Sequence, residues 1–427
     1  MRCRVYILAC SCAAFAADQS GSPIELSLKE ASALALKNHP RVLAAQNATS
    51  AQNQRIVETR SAYLPGVTGY ATASQGNIGS RIGAGFLTAS RLFNRVGGGV
   101  EVNQLITDSG RTSNLVEQSR LQADAQARSY EDTRSDVLLL VSQAYFDGLH
   151  AEAVVKVAEK TVAARKLMSE RITVLAQSNL RSQLDVSFAE VNVAQGQLLL
   201  IRSQNLVRAA FAELTWALGA RQPAAYRLQD EPMPPSPSAD AEILVAEALR
   251  NRSDIAVLRL TRDAAYRFER AERDLKRPTI SLVVVGGYIP YIDQIMPKEY
   301  EGGALKVQIP VFNGNLFTAR AKEAHYRALE ADQKVRDQEE TVARDVRTAW
   351  ANAITAYQSV DVTARLLREA ALALNLAQGR YDQGLANIVE LTQAQLNLTE
   401  AEIENLSAKY EYQSRNAVLQ HEIGALR

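Results

Sequence analysis

The residues best equipped for catalysis are few and far apart. Four histidines, His39, His150, His325 and His421, are widely separated, and none has the H-E-x-x-H spacing that sets two imidazoles around a zinc ion on one helix face. The three cysteines, Cys3, Cys10 and Cys12, all precede residue 13, so the chain beyond them has no thiol for a nucleophile or a disulfide. No G-x-x-x-x-G-K-[ST] loop is present to cradle a phosphate. The pattern offers no cofactor, no metal site and no catalytic constellation, so an enzyme is not expected. One stretch is still unusual. In "RYDQGLANIVELTQAQ", Arg380 to Gln395, strongly helical residues are punctuated by Gly384, with Gly379 just ahead of it. A glycine costs a helix interior about 1 kcal/mol relative to alanine, so the pair suggests a deliberate turn.

The elements that would carry such a turn follow from composition. Hydrophobic residues make up 47% and charged residues 22% of 427, but aromatic residues only 6%, while Ala, Gln, Leu and Glu recur throughout. That bias favours long helices. The formal net charge is +1, with acids and bases interleaved, so no nucleic acid is expected as a partner.

Residues 1–16 read as an export signal: Arg2 and Arg4, then the apolar Val5 to Phe15, then small residues at Ala14-Phe15-Ala16. Ile7-Leu8-Ala9-Cys10 also resembles a lipoprotein box, which would instead leave a lipid on Cys10. No later segment has the roughly 18 continuous apolar residues of a transmembrane helix.

The chain reads as a duplication. A shift of 205 residues aligns Val102 with Val307, Val137 with Val342, Ala144 with Ala349, Ala189 with Ala394, Asn192 with Asn397 and Leu214 with Leu419. The breaks align too: Asp108-Ser109-Gly110 on Asn313-Gly314-Asn315, Ser178-Asn179 on Gln383-Gly384, and Leu218-Gly219 on Ile423-Gly424. Helical composition does not predict turn residues, so their coincidence carries the argument. The first repeat spans 17–229 and the second 241–427, joined by a proline-rich linker at 230–240. Long helices are expected at 110–178 and 182–219, then at 315–382 and 387–424. At a rise of roughly 1.5 Å per residue the longest would approach 100 Å, which no compact domain needs.

Strands are expected near 66–74 and 98–107, then near 279–288 and 303–312. Val100, Val102 and Ile106 alternate with Glu101 and Asn103, and Leu305, Val307, Ile309 and Val311 with Lys306 and Gln308. Apolar on one side and polar on the other over about 9 to 11 residues is the pattern of a transmembrane barrel strand. Four strands cannot close a barrel, and an open edge is forbidden in lipid, so several chains must share one.

With these features the chain resembles the TolC family of trimeric outer-membrane efflux proteins over essentially its whole length after the signal. The residues that carry the resemblance are "LSLKEASALALKNHPRVLAAQ" at Leu26 to Gln46, the duplicated halves, and "YDQGLANIVELTQAQLNL" at Tyr381 to Leu398. It implies a mostly α fold with a small β part. Twelve strands, four per chain, would form a transmembrane β-barrel shared by a homotrimer and continued into the periplasm by a long α-helical barrel. The implied role is the exit duct of a tripartite efflux or type I secretion system in a Gram-negative outer membrane. Its partners would be outer-membrane lipid, a periplasmic adaptor and an inner-membrane pump of RND or ABC type. Neither the pump class nor the substrate can be read from the residues.

The resemblance also assigns positions. Glu390 falls on one acidic residue of the family's channel constriction, and Gln393 replaces a second. Three carboxylates near a threefold axis would repel one another and attract cations. A solvated helix-start glutamate is the alternative. Tyr381 and Asp185 match a hydrogen-bonded latch whose reinforcing arginine is replaced here by Ala386; a packing tyrosine is the alternative. The turns Asn179, Leu180, Arg181, Ser182 and Gly384, Leu385, Ala386, Asn387 match the surface offered to the adaptor. The stripes Leu391, Ala394, Leu398, Ala401 and Val186, Ala189, Val193, Gly196 are assigned to packing. A soluble periplasmic coiled-coil scaffold is the rival reading, which the barrel-type strands disfavour.

Overall fold

The computed structural model describes residues 24–75, 95–221, 226–238, 240–292 and 297–426. The expected signal, with Cys3, Cys10 and Cys12, lies outside them. The elements in chain order are β1 (Ile24–Leu26), α1 (Leu28–Asn38), α2 (Pro40–Arg60), β2 (Gly66–Ser74), β3 (Arg95–Thr107), α3 (Arg111–Gln177) and α4 (Gln183–Ala217). After β4 (Tyr226–Leu228) come α5 (Ala241–Asn251), α6 (Ser253–Asp274), β5 (Thr279–Ile292), β6 (Glu299–Gln308), α7 (Leu316–Asp382) and α8 (Ile388–Glu422). The chain divides into two compact units, each drawing on both halves of the sequence. One is made of residues up to Ala35, Val141–Pro234 and Val360–Glu411; the other of Leu36–Leu140, Pro235–Ser359 and Tyr412–Arg427.

The repeat is visible in the backbone. Among the described residues, left-handed conformations occur at Ser109, Gly110, Asn179 and Gly219, and again 205 residues later at Gly314, Asn315, Gly384 and Gly424. Helices α3 and α7 have 67 residues each, and α4 and α8 have 35 each. The earlier break differs in chemistry but not in shape. His39 before α2 has φ −68° and ψ 125°, and Arg252 before α6 has φ −67° and ψ 129°.

The first unit packs by small residues at sevenfold spacing. Ala189, Gly196, Ser203, Ala210 and Ala217 are all buried on α4, as are Ala394, Ala401 and Ala408 on α8. A heptad of small side chains lets neighbouring helices approach closely along a seam that follows the supercoil. The short parallel pair β1 and β4 is tied to α3 by Tyr145, whose hydroxyl lies 2.8 Å from the Leu26 carbonyl and 2.7 Å from that of Gln229.

The second unit has a core of Leu244, Val245, Ala248 and Ile255 from α5 and α6, packed against Val342, Val346, Ala349 and Ala353 of α7 and Leu419 and Ile423. Beside it Arg252 bridges Asp254 and Glu422, and His421 Nε2 lies 3.0 Å from Asp136. Burial alone would lower the His421 pKa, but the Asp136 hydrogen bond and the Glu422 carboxylate outweigh it and raise the value to about 9. Residues 230–238 of the linker have no regular structure; Trp350 Nε1 donates to the Ser238 carbonyl at 2.8 Å.

This unit also holds a four-stranded antiparallel sheet in the order β2-β3-β5-β6. One face presents Val67, Val100, Leu282, Val284, Leu305 and Val307, all exposed. The other carries Thr68, Glu101, Asn103, Ser281, Lys306 and Gln308. One row crosses all four strands in register: Tyr70, Gly99, Gly287, Tyr300. The two tyrosine hydroxyls meet at 2.7 Å above the glycines, and a Cβ on either glycine would collide with the Tyr300 phenol. Strand β6 starts and ends earlier than the alternation at 303–312 suggests. Gly302 and Gly303 hide its start from a pattern search, and Pro310, with no N–H to give a ladder, lies past its end.

Candidate gate at the helix turns

In the first unit, α3 turns into α4 and α7 into α8 through the same backbone device. Asn179, at φ 59°, donates its N–H to the Ala176 carbonyl, and Leu180 reaches back to Leu175. Gly384, at φ 75°, donates to Tyr381, and Leu385 to Arg380. These are paired Schellman caps, which satisfy the last carbonyls of a helix and need one left-handed residue. Asn and Gly tolerate that conformation best. Gly379 is not part of the turn. It lies inside α7, its carbonyl accepting from Gln383, and a Cβ there would meet nothing within 4 Å.

Helix α4 then starts with a capping box: Ser182 Oγ accepts the Asp185 N–H, and the Asp185 carboxylate accepts the Ser182 N–H, both at 3.2 Å. At the equivalent place in α8, Asn387 Oδ1 accepts the Glu390 N–H at 2.9 Å. The Glu390 carboxylate does not turn back. It pairs with Arg380 at 3.3 Å and stays exposed. Gln393 is also exposed and donates to Asn397 at 2.8 Å rather than meeting Glu390.

Tyr381 is 2% exposed, packed among Ile172, Val186, Ala189, Ile388 and Leu391. Its hydroxyl has no hydrogen-bond partner among the described residues, so the expected bond to Asp185 is not formed. Asp185 is instead engaged by its own helix start. What holds Tyr381 is Arg181. Its guanidinium lies 4.2 Å from the ring centroid, and an Nη donates to the Tyr381 carbonyl. Burial pushes the Tyr381 phenol upward, and Arg181 opposes it. A second cross-link joins Arg171 to Asp382 at 3.3 Å.

The resemblance places a reinforcing latch arginine at position 386, where this chain has alanine. The repeat offers the missing signal, because 205 residues before Ala386 stands Arg181. Leu180 and Leu385, each one residue past its left-handed residue, are 68% and 66% exposed. They are the apolar members of the two turns, flanked by Arg181, Ser182, Ala386 and Asn387.

Long helices in duplicate, an open strand sheet with one apolar face, and paired helix turns define an outer-membrane channel architecture. The comparisons agree. A family model described as outer membrane efflux protein matches residues 31–220 and, a second time, 244–425. Outer membrane protein TolC of Salmonella enteritidis is 22% identical over 355 residues, covering 78% of this chain and 70% of that protein. Outer membrane efflux protein BepC of Brucella suis is 23% identical over 388 residues, covering 88% and 80%. Among solved structures, CusC superposes with a TM-score of 0.82 at 18% identity, over 93% of this chain and 92% of that one. The open-state MtrE channel of Neisseria gonorrhoeae gives 0.78 at 17%, over 94% and 89%. The chain belongs to the outer membrane efflux protein family. It is an outer-membrane exit channel of efflux or secretion systems, in a family of channels rather than enzymes.

Proposed function

We propose that three copies of this chain assemble into one duct, each giving four strands to a twelve-stranded barrel, and that the helix turns form its periplasmic gate. The observation that carries this reading is the sheet. Its outer strands β2 and β6 each pair on one side only among the described residues, while one face is apolar and exposed. In lipid every backbone donor and acceptor must be satisfied, so the free edges must pair with other copies. A further support is a stripe on α4. Leu184, Val191 and Leu198 are exposed at sevenfold spacing, away from the buried small seam, as a second helix-packing face for a neighbouring copy requires.

In this duct Glu390 and Gln393 line the constriction, and opening separates the two turns. Tyr381, clamped by Arg181, is the latch; Asp185 supports it by fixing the start of α4. The surface of Asn179, Leu180, Arg181, Ser182, Gly384, Leu385, Ala386 and Asn387 docks a periplasmic adaptor, with Leu180 and Leu385 as its apolar contacts. The adaptor connects the duct to an inner-membrane pump of RND or ABC type.

The test is the protein mass of the species extracted by detergent from outer membranes, from light scattering corrected for bound detergent. Three chain masses are expected. A monomer under conditions that preserve the fold would overturn the shared barrel.

A further inference from the structure

Arg165, on α3, stands out from every other arginine described. It is 6% exposed. One Nη donates to the Asn192 carbonyl at 3.0 Å, but Nε has no partner, and no carboxylate among the described residues comes within ion-pair distance. The Asn192 Nδ2 donates to Thr392 Oγ1 at 2.9 Å. A guanidinium does not shed its proton, and burying one without a counter-charge is strongly unfavourable. Burial accordingly pulls its pKa down, with no acid to oppose the effect.

Arg165 lines a cleft of about 430 Å³ within the first unit, between α3, α7 and α8. The other charges there do not balance it. Arg171 is paired with Asp382, and Glu402, whose pKa burial raises, is countered by Lys160. One positive charge is left over, and it belongs to Arg165. The remaining lining mixes apolar side chains, Met168 on the same helix as Arg165 with Leu374 and Leu398 from the other two, with uncharged polar ones such as Gln378 and Gln395. A volume of this order suits a small organic molecule, and an inorganic ion would leave the apolar walls unused.

We infer that this cleft binds a small amphipathic organic anion, its carboxylate on the Arg165 guanidinium and its apolar body against Met168, Leu374 and Leu398. The second Nη has no partner among the described residues, and a charge-assisted hydrogen bond from it to a carboxylate oxygen is short and strong. The stem of Arg165 passes close to Gly196 of α4, where an added Cβ would lie 3.4 Å from Arg165 Cδ. The site shares Arg171 with the cross-link to Asp382 but does not depend on the gate reading.

The experiment is titration calorimetry on the full-length channel in a neutral detergent, with 2-naphthoate as probe and 2-naphthamide as its uncharged isostere. Naphthoate is expected to bind saturably, one per chain, and naphthamide at least tenfold more weakly. Arg165→Gln removes the charge and should lose naphthoate by at least tenfold, while Lys409→Gln, at an exposed cation outside the cleft, changes nothing. Leu398→Trp fills the cleft, leaves Arg165 in place and should also abolish binding; it serves as the test if the Arg165 variant does not fold. Equal binding of the two probes, or naphthoate binding retained in Arg165→Gln or in Leu398→Trp, overturns the inference. So does dissociation of the assembled channel on Arg165→Gln, since that assigns the counter-charge to another copy of the chain.

Discussion

The two turns at the ends of α3 and α7 share a backbone and divide their charges differently. Both close with a Schellman cap, at Asn179 and Gly384, and both reopen at a side-chain cap, Ser182 and Asn387. In the first turn the acid stays at home and the base reaches out: Asp185 closes its own capping box, and Arg181 lies across the Tyr381 ring. In the second the base stays at home and the acid is released: Arg380 pairs locally with Glu390, which stands exposed. One methylene separates aspartate from glutamate at equivalent places, and here it distinguishes a capping side chain from a surface charge. The same division recurs where α4 and α8 end. The first half closes with Trp216-Ala217, the second with His421-Glu422 in an ionic network.

Removing the bridge between the turns tests this division most severely. Arg181→Ala deletes a charged hydrogen bond and a cation–π contact, together on the order of 3 kcal/mol per chain. We expect higher single-channel conductance in planar bilayers and a lower Tm; wild-type values for both would assign the clamp to packing alone. His421 comes next. Its pKa is about 9 in the fold against 6.5 unfolded, so its contribution is whole below pH 6.5 and lost as pH rises through 9. The stabilisation at stake is on the order of 2 to 3 kcal/mol. Tm should fall from pH 7 to pH 10, and His421→Phe should flatten that slope, whereas Trp216→Phe should leave it unchanged. An unaltered slope in His421→Phe would remove the histidine from the network.

Backbone equivalence makes a smaller claim. Gly384→Ala and Asn179→Ala should each cost about 1 kcal/mol, since both place alanine in the left-handed region. Unequal costs in chemical denaturation would mean the turns are not equivalent. Asp185→Ala removes one half of a capping box, worth about 1 kcal/mol or less. Hydrogen exchange should quicken in the first turn of α4 with little change in conductance. A conductance rise matching that of Arg181→Ala would restore Asp185 to the latch. The least stability is at stake in Glu390→Gln, because exposed ion pairs are worth roughly 0.5 kcal/mol. Its expected effect is on selectivity, a reduced cation preference in bilayer recordings; an unchanged preference takes Glu390 off the channel axis.

The helices and their turns were legible because breakers are local. Asn179, Gly384 and Gly424 announce a cap whatever surrounds them, and their spacing exposes the repeat. The glycines of the sheet did the reverse. Gly97–Gly99, Gly286-Gly287 and Gly302-Gly303 sit inside strands, where they erase the alternation by which strands are recognised. Gly379 looked like a breaker and is an ordinary helix residue, because one exposed glycine costs a 67-residue helix little. The roles of Arg181 and Arg165 depend on what faces them from other helices, which no local pattern encodes. The ionic network of Arg252 and His421 was hidden for the same reason.

The row of Tyr70, Gly99, Gly287 and Tyr300 takes two residues from each half. Repeats joined in one chain can drift apart freely as long as each keeps its own shape. These four positions are tied together, since a side chain at Gly99 would meet the Tyr300 phenol and the Gly286 backbone carbonyl, both in the other half. Selection therefore reads them as a single character, and a substitution made in one half is judged in the other.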